Sequence, residues 1–331
     1  MDIIERIKKE AVCLDKRIIF PEATDERILK AVEQSARKKI IKAVLVGNEN
    51  EIKEKARALK INLKGIEIIE PQKSKSLEKY TSIFIEKMRI HKRAAKIIVQ
   101  QPLFFSALAV SAGDADGMIA GAVRTSGEVI AVSASIIGLQ KKISVPSSFF
   151  IMVIPGYKGG EQGTLMFADA SVNPNPTAEQ LADIAIISGQ TAKKLLNWKP
   201  RIAMLSFSTK GSARHSDVDK VTRATEIAKK KAKGLEIDGE LQADSALVMA
   251  TAKRKMRNIG KVAGKANILI FPDLDAGNIA YKLTQILAKA DAYGPFLQGF
   301  TKPVSDLSRG ATVEDIAGTI AILAVWAERR K

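Results

Sequence analysis

Cysteine occurs once, at Cys13, and histidine only twice in a chain of 331 residues. A lone thiol cannot close an internal disulfide, which accords with a reducing cytoplasm, and Cys13 is read as a packing residue. One thiol and two imidazoles leave too few ligands for a His/Cys zinc cluster; a metal held by carboxylates alone stays open, and no residue is assigned to a metal. Aromatic residues make up 5% and lie scattered, without the interleaving of rings and cations that stacks nucleobases. Nor is there an unbroken apolar run of the roughly 18 to 20 residues that a bilayer span needs. The nearest stretch, 97–113, is interrupted by Gln100, Gln101, Pro102 and Ser106. Residues 1–10 mix charges of both signs around no apolar signal core, so neither secretion nor a membrane partner is expected. Several catalytic signatures are also missing. The chain has no G-x-x-x-x-G-K-[ST], no G-x-G-x-x-G after a strand, no H-E-x-x-H and no G-x-S-x-G. Phosphate-loop, dinucleotide, zincin and serine-hydrolase chemistry would each need an unusual site.

What is abundant is positive charge. Lysine and arginine outnumber the acids 53 to 36, for a net charge of +17. Such an excess suits either a polyanionic partner or a solvated, lysine-rich surface, and charge alone does not decide between them. The scattered aromatics make nucleic acid the less favoured partner. With 46% hydrophobic and 27% charged residues the composition is globular. At about 150 residues per domain, the length suggests two domains.

Short β-branched runs alternate with longer amphipathic ones. Strands are expected at 17–21, 43–47, 66–69, 117–121, 149–154, 202–206 and 268–271, and helices at 26–38, 178–196, 218–233, 277–290 and 312–331. Thr177 followed by Gln180 reads as a capping box opening the 178–196 helix. The alternation implies an α/β fold of two domains, each a mostly parallel sheet flanked by helices, with an interdomain cleft. The pattern breaks at 138–155 and again at Gly294-Pro295 and Gly299. The expected division is 1–142 plus 300–331 for the first domain, completed by the C-terminal helix, and 143–299 for the second. Ligands in open α/β sheets bind beyond the carboxyl ends of strands.

The residues of interest gather at such junctions. Ser206, Ser208, Thr209, Lys210, Gly211 and Ser212, with Arg214 beyond, can surround a phosphate with hydroxyls, amides and cations. The same residues also make good turn chemistry for an ordinary strand-to-helix loop. Asp273 to Asn278 forms a second junction, in which Asp275 could simply cap the following helix. Ser308 and Arg309 stand before a helix start in a third, with Asp315 in the first helical turn, where a capping role with Thr312 competes with a chemical one. Arg89, in the run Arg89-Ile90-His91-Lys92-Arg93, is either a solvated helix end or an anion contact. Arg124 follows Gly121-Ala122-Val123 at a glycine turn. Each signal is modest alone; together they describe a phosphate-binding site.

These segments, in order, resemble the phosphate acetyltransferases and related phosphate acyltransferases. The resemblance runs through Phe20-Pro21-Glu22 with Asp25-Glu26-Arg27, and Asp116-Gly117 to Gly121-Ala122. It continues in Phe167-Ala168-Asp169 with Asn173-Pro174, Ala203 to Ser212, and Asp238 to Gln242. Phe271 to Asn278, Gly294 to Gly299, and Asp306-Leu307-Ser308-Arg309-Gly310 complete it. It implies reversible acetyl transfer between acetyl phosphate and coenzyme A, with CoA as co-substrate and no tightly bound cofactor, by a cytoplasmic homodimer. It further implies Asp315 as base for the CoA thiol, Ser308 as a stabilising hydroxyl, and Arg309 and Arg89 as substrate-binding cations. The chain departs from the family at Arg124-Thr125-Ser126, where histidine is usual at the first position. It also has Ala131 where an arginine is frequent, and Ser305 for asparagine. Arg124 is expected to replace the cation lost at Ala131.

The chemistry sets the demand. A thiol of pKa about 8.5 facing a carboxylate of about 3.9 makes full proton transfer roughly 6 kcal/mol uphill. A carboxyl raised by burial, or proton removal concerted with attack on the carbonyl, reduces that cost. Because CoA supplies the sulfur, direct thiolate attack in a ternary complex is expected rather than an acyl-enzyme. Two alternatives stand beside this reading: transfer of propanoyl or butyryl groups, and a catalytically lapsed homologue that binds CoA or nucleic acid.

Overall fold

A computed structural model describes residues 3–12, 14–141 and 143–329, so Cys13 and its expected packing role lie outside the described residues. The strands run β1 (Arg17–Phe20), β2 (Lys42–Val46), β3 (Glu67–Ile69), β4 (Gly117–Ala120), β5 (Ser147–Val153), β6 (Thr164–Ala168), β7 (Arg201–Leu205), β8 (Glu236–Leu241), β9 (Ile268–Ile270), β10 (Asp291–Gln298) and β11 (Val304–Asp306). The helices are α1 (Ile3–Ala11), α2 (Glu26–Arg37), α3 (Glu49–Ala58), α4 (Leu77–Met88), α5 (Lys92–Val99), α6 (Pro102–Ala112), α7 (Ser126–Ile136), α8 (Ala178–Leu196), α9 (Ser216–Lys231), α10 (Ala243–Leu247), α11 (Met249–Lys255), α12 (Leu274–Leu287) and α13 (Val313–Arg329). The chain divides into two compact units, Met1–Gln140 with Phe300–Lys331, and Lys141–Gly299.

In the first unit the strand order is β3-β2-β1-β4-β11, all parallel. β1, Arg17-Ile18-Ile19-Phe20, is buried on both faces, as a strand covered by helices on each side must be. α13 supplies much of that cover. Twelve of its residues, from Asp315 to Ala327, are buried, and it packs on α1, α2, β1 and β4. Leu323 lies against Gly117 of β4, where an added methyl would come within 3.1 Å of the leucine Cδ2. No single described helix is long and apolar enough to cross a membrane. α5 and α6, which cover the interrupted stretch 97–113, meet at a 97° bend.

The second unit has the order β10-β5-β6-β9-β7-β8. β6, β9, β7 and β8 are parallel, but β5 runs antiparallel to both β6 and β10. A purely strand–helix reading misses this, because β5 and β6 are joined by the glycine-rich turn 155–163 with no helix between them. β10 also departs from expectation. Gly294-Pro295, read as a chain break, sits inside the strand at a register shift between Tyr293 and Phe296, where a proline without an N–H costs no ladder bond. The expected capping box forms: Thr177 Oγ1 accepts from Gln180 N at 3.3 Å and Gln180 Oε1 from Thr177 N at 2.8 Å.

Removing the Leu323 side chain leaves a cavity between α13 and β4. Leu323→Ala should cost about 2–5 kcal/mol of stability, read from the denaturant midpoint, and a loss below about 1 kcal/mol would show that this contact does not hold the helix to the sheet.

Candidate active site

The carboxyl ends of β1, β4 and β11 lie side by side because these strands are parallel neighbours, Ile18 opposite Gly117 and Asp306 opposite Ala120. Their outgoing loops carry backbone groups with no ladder partners, and such groups need other ones. Two side chains from the β1–α2 segment provide them. Glu22, buried, accepts from the N–H groups of Ala122 (2.7 Å), Val123 (3.1 Å) and Arg124 (2.6 Å), fixing the loop after β4. Arg27 donates to the carbonyls of Ala122 (2.9 Å), Arg309 (2.5 Å) and Ala311 (3.3 Å), so it ties the loop after β11 to the loop after β4.

Arg27 is itself held by Asp25, at 2.9 and 3.2 Å, and Asp25 also caps α2 by accepting from the N–H groups of Arg27 and Ile28. Burial works to raise the Asp25 carboxyl, but the Arg27 guanidinium and the two N–H groups outweigh it and hold it below the usual range. Neither Glu22 nor Arg27 is among the site residues expected from the sequence. Their place in the matched segments Phe20-Pro21-Glu22 and Asp25-Glu26-Arg27 was the available signal.

On this scaffold sit the expected reacting groups of the first unit. Asp315 N donates to Thr312 Oγ1 at 3.1 Å and Thr312 N to Asp315 Oδ2 at 3.0 Å. The capping role therefore exists, yet it leaves Oδ1 without a hydrogen bond from the described residues. Ser308 Oγ accepts from Gly310 N at 3.3 Å, so its own hydrogen remains to be donated. The Arg309 side chain is exposed and its guanidinium makes no ion pair among the described residues. Arg124 pairs with Glu128 at 3.1 Å just before α7, whose start is closed by a Thr125–Glu128 capping box. Ala131 lies within α7. Arg89 ends α4 in a left-handed conformation (φ 53°), exposed, with no ion pair or hydrogen bond to these loops.

In the second unit the hydroxyl-rich loop after β7 is largely bound to itself. Ser208 and Thr209 are buried. Ser208 Oγ donates to Glu240 at 3.1 Å, while Thr209 Oγ1 accepts from Gln242 N at 3.0 Å and reaches Gln242 Oε1 at 3.2 Å. Glu240 also accepts from Gly211 N at 2.7 Å and Thr222 Oγ1 at 3.2 Å. Burial acts to raise the Glu240 carboxyl, and these donors bring it below the usual range. Lys210 Nζ is committed to Asp238 (2.7 Å) and the Gly239 carbonyl (2.5 Å). Ser206, Gly211 and Ser212 stay accessible. Asp273, rather than Asp275, caps α12 through Ala276 N at 2.8 Å, and Asn278 donates to the Ala170 carbonyl at 3.1 Å.

The Arg27 fork spans two loops and a carboxylate, a geometry that an ammonium cannot reproduce. Arg27→Met should lower stability by about 1.5–3 kcal/mol in urea unfolding, with Arg27→Lys recovering little of it. Wild-type stability in Arg27→Met would mean the bridge carries no weight.

Residues 2–324 match the family described as phosphate acetyl/butaryl transferase. A phosphate acetyltransferase of Clostridium acetobutylicum is 46% identical over 99% of each chain. One from Acetivibrio thermocellus is 46% identical over 98% of this chain and 97% of its own. A solved phosphotransacetylase from Streptococcus pyogenes superposes with a TM-score of 0.90 at 36% identity, covering 98% of both chains. The EutD phosphotransacetylase from Staphylococcus aureus gives 0.88 at 34% identity, over the same share of each. The order of the segments and the loops that they build agree with these matches: the chain belongs to the phosphate acetyl/butyryl transferase family.

Proposed function

We propose that the chain is a phosphate acetyltransferase that moves acetyl reversibly between acetyl phosphate and CoA, giving acetyl-CoA and phosphate, with its two compact units serving as domains. The observation that carries this reading is the Asp315 carboxylate with one free oxygen. It stands on a helix whose approach loop, clamped by Arg27, presents the Ser308 hydroxyl and an Arg309 guanidinium that has no ion pair among the described residues.

Each group has a task in direct transfer. Asp315 Oδ1 takes the thiol proton of CoA as the sulfur attacks the acetyl carbonyl, so that a free thiolate need not accumulate. Ser308 donates to the oxygen that becomes anionic in the tetrahedral intermediate. Collapse breaks the bond between the carbonyl carbon and the phosphate oxygen, and phosphate leaves with its charge held by Arg309 and Arg124. The guanidinium fork suits this because it offers paired donors and stays charged. Arg89, exposed and without an ion pair among the described residues, is a further cation for substrate. Ser206, Ser208, Thr209, Lys210, Gly211, Ser212, Asp273 and Asn278 are assigned to CoA or phosphate. Of these, Ser208 and Thr209 act through the shape of their loop. Acetyl is favoured over propanoyl and butyryl because the relatives compared above are phosphate acetyltransferases and phosphotransacetylases.

The cytoplasm is the proposed compartment, supported by the single cysteine. A homodimer is the proposed assembly. α12 leaves Ile279, Leu283, Ile286 and Leu287 exposed at helical spacing, the last two by 72% and 76%. A stripe of that kind favours burial against a second copy.

Mixing protein, CoA and acetyl phosphate should give thioester absorbance and phosphate in equal amounts, and no thioester would refute the assignment. Asp315→Asn should lower kcat by about 10²–10⁴, and Ser308→Ala by about 10²–10³. A Leu283→Glu, Ile286→Glu double variant should sediment as a monomer where the parent chain sediments as a dimer; a monomeric parent would dismiss the dimer.

A further inference from the structure

Asp306 ends β11 two residues before Ser308 and is 1% exposed, yet neither carboxylate oxygen has a hydrogen-bond partner among the described residues, the Ser126 hydroxyl lying near without closing one. Two other buried carboxylates are surrounded by donors: Asp169 takes the N–H groups of Ser148, Ser171, Val172 and Asn173, and Glu22 takes three. An ionised carboxyl without donors in such a place is costly, whereas a neutral one is tolerated. Its surroundings are shaped to admit it. Gly121, at φ +97°, leaves the space in which any Cβ would overlap Asp306 Oδ1 and crowd the backbone of Leu307. Leu307 N in turn donates to the Ala120 carbonyl at 2.6 Å.

We infer that Asp306 is a positioning residue kept as an uncharged carboxylic acid, whose neutrality seats the Ser308–Arg309 loop on the turn after β4. The inference rests on the role given to Ser308 and Arg309 above.

The charged groups on the neighbouring elements are themselves engaged. From the β1–α2 segment come Glu22, bound by backbone N–H groups, and the Asp25–Arg27 pair. α7 carries Glu128, engaged by Thr125 and Arg124, and α13 carries Asp315, engaged by Thr312. β4 contributes no charged side chain, and Arg309 in the following loop is exposed. Burial pushes the Asp306 carboxyl up to about 7; the Ser126 hydroxyl works against this, and Glu22 adds to it. A carboxyl raised in the folded protein binds its proton more tightly there than in the unfolded chain. It therefore contributes stability at low pH that is lost as pH rises from about 4 to about 7.

The test compares the full chain with Asp306→Asn, which keeps the shape and removes the titration. At pH 8, one unit above the midpoint, only about a tenth of the wild-type protein holds the neutral acid. The variant-to-wild-type ratio of kcat/KM should thus rise about tenfold between pH 6 and pH 8, starting near unity; a ratio independent of pH overturns the inference. Infrared difference spectra of wild type should show a protonated-carboxyl stretch at pH 6 that disappears by pH 8 and is absent from Asp306→Asn. A spectrum lacking that band overturns the inference even where the variant does not fold or the chain makes no thioester.

Discussion

The Arg27 guanidinium is the fixed point of the first unit. Two loops that leave adjacent parallel strands would otherwise expose unpaired carbonyls at the strands' carboxyl ends, and an arginine offers enough donors in one plane to serve several at once. It joins Ala122 after β4 to Arg309 and Ala311 after β11, and Asp25 holds it in place. Glu22 supplies the complementary half by accepting the N–H groups that follow β4. Placement of Asp315 and Ser308 depends on this pairing, because both stand on backbone that the clamp fixes. Preorganisation of that kind lets a hydroxyl or carboxylate act without first being gathered.

The second unit uses the same device with the charges redistributed. Asp169 organises residues 169–173 after β6, Glu240 draws together Ser208, Gly211 and Thr222, and Asp273 starts α12 after β9. A loop rich in serine, threonine and glycine therefore has two claims on its donors: its own architecture and any anion it meets. In residues 206–212 the architecture takes Ser208, Thr209, the Lys210 ammonium and the Gly211 N–H, leaving Ser206 and Ser212 at the surface.

Much of this was legible in the residues. β1, β2, β4, β7 and β9 are apolar runs closed by turns, and α8 begins at the expected threonine with its capping glutamine. Other elements were hidden for identifiable reasons. β8, Glu236-Ile237-Asp238-Gly239-Glu240-Leu241, carries three acids and reads as polar, and β11 is only three residues long. β10 contains a proline that is harmless only because the ladder is already irregular there. At the site, hydroxyls and cations announce themselves by type. Asp306 does not, since what distinguishes it is the lack of partners in a buried place, and a sequence does not display burial.

Charge in this chain is plentiful, and part of it is spent locally. Lysine ammonium groups pair with nearby acids across both units, as at Lys79–Asp114, Lys229–Asp238 and Lys261–Glu236. A phosphate needs cations whose partners are absent or easily displaced. Arg309 and Arg89 meet the first condition among the described residues. Arg124 meets the second, because its exposed pair with Glu128 is screened by solvent and weaker than a charge-assisted fork to phosphate. Substrate can take Arg124 from Glu128 at little cost, whereas Arg27, locked into three carbonyls and a carboxylate, cannot be recruited without loosening the loops that carry the reacting groups. The division of labour between arginines follows from what each already holds.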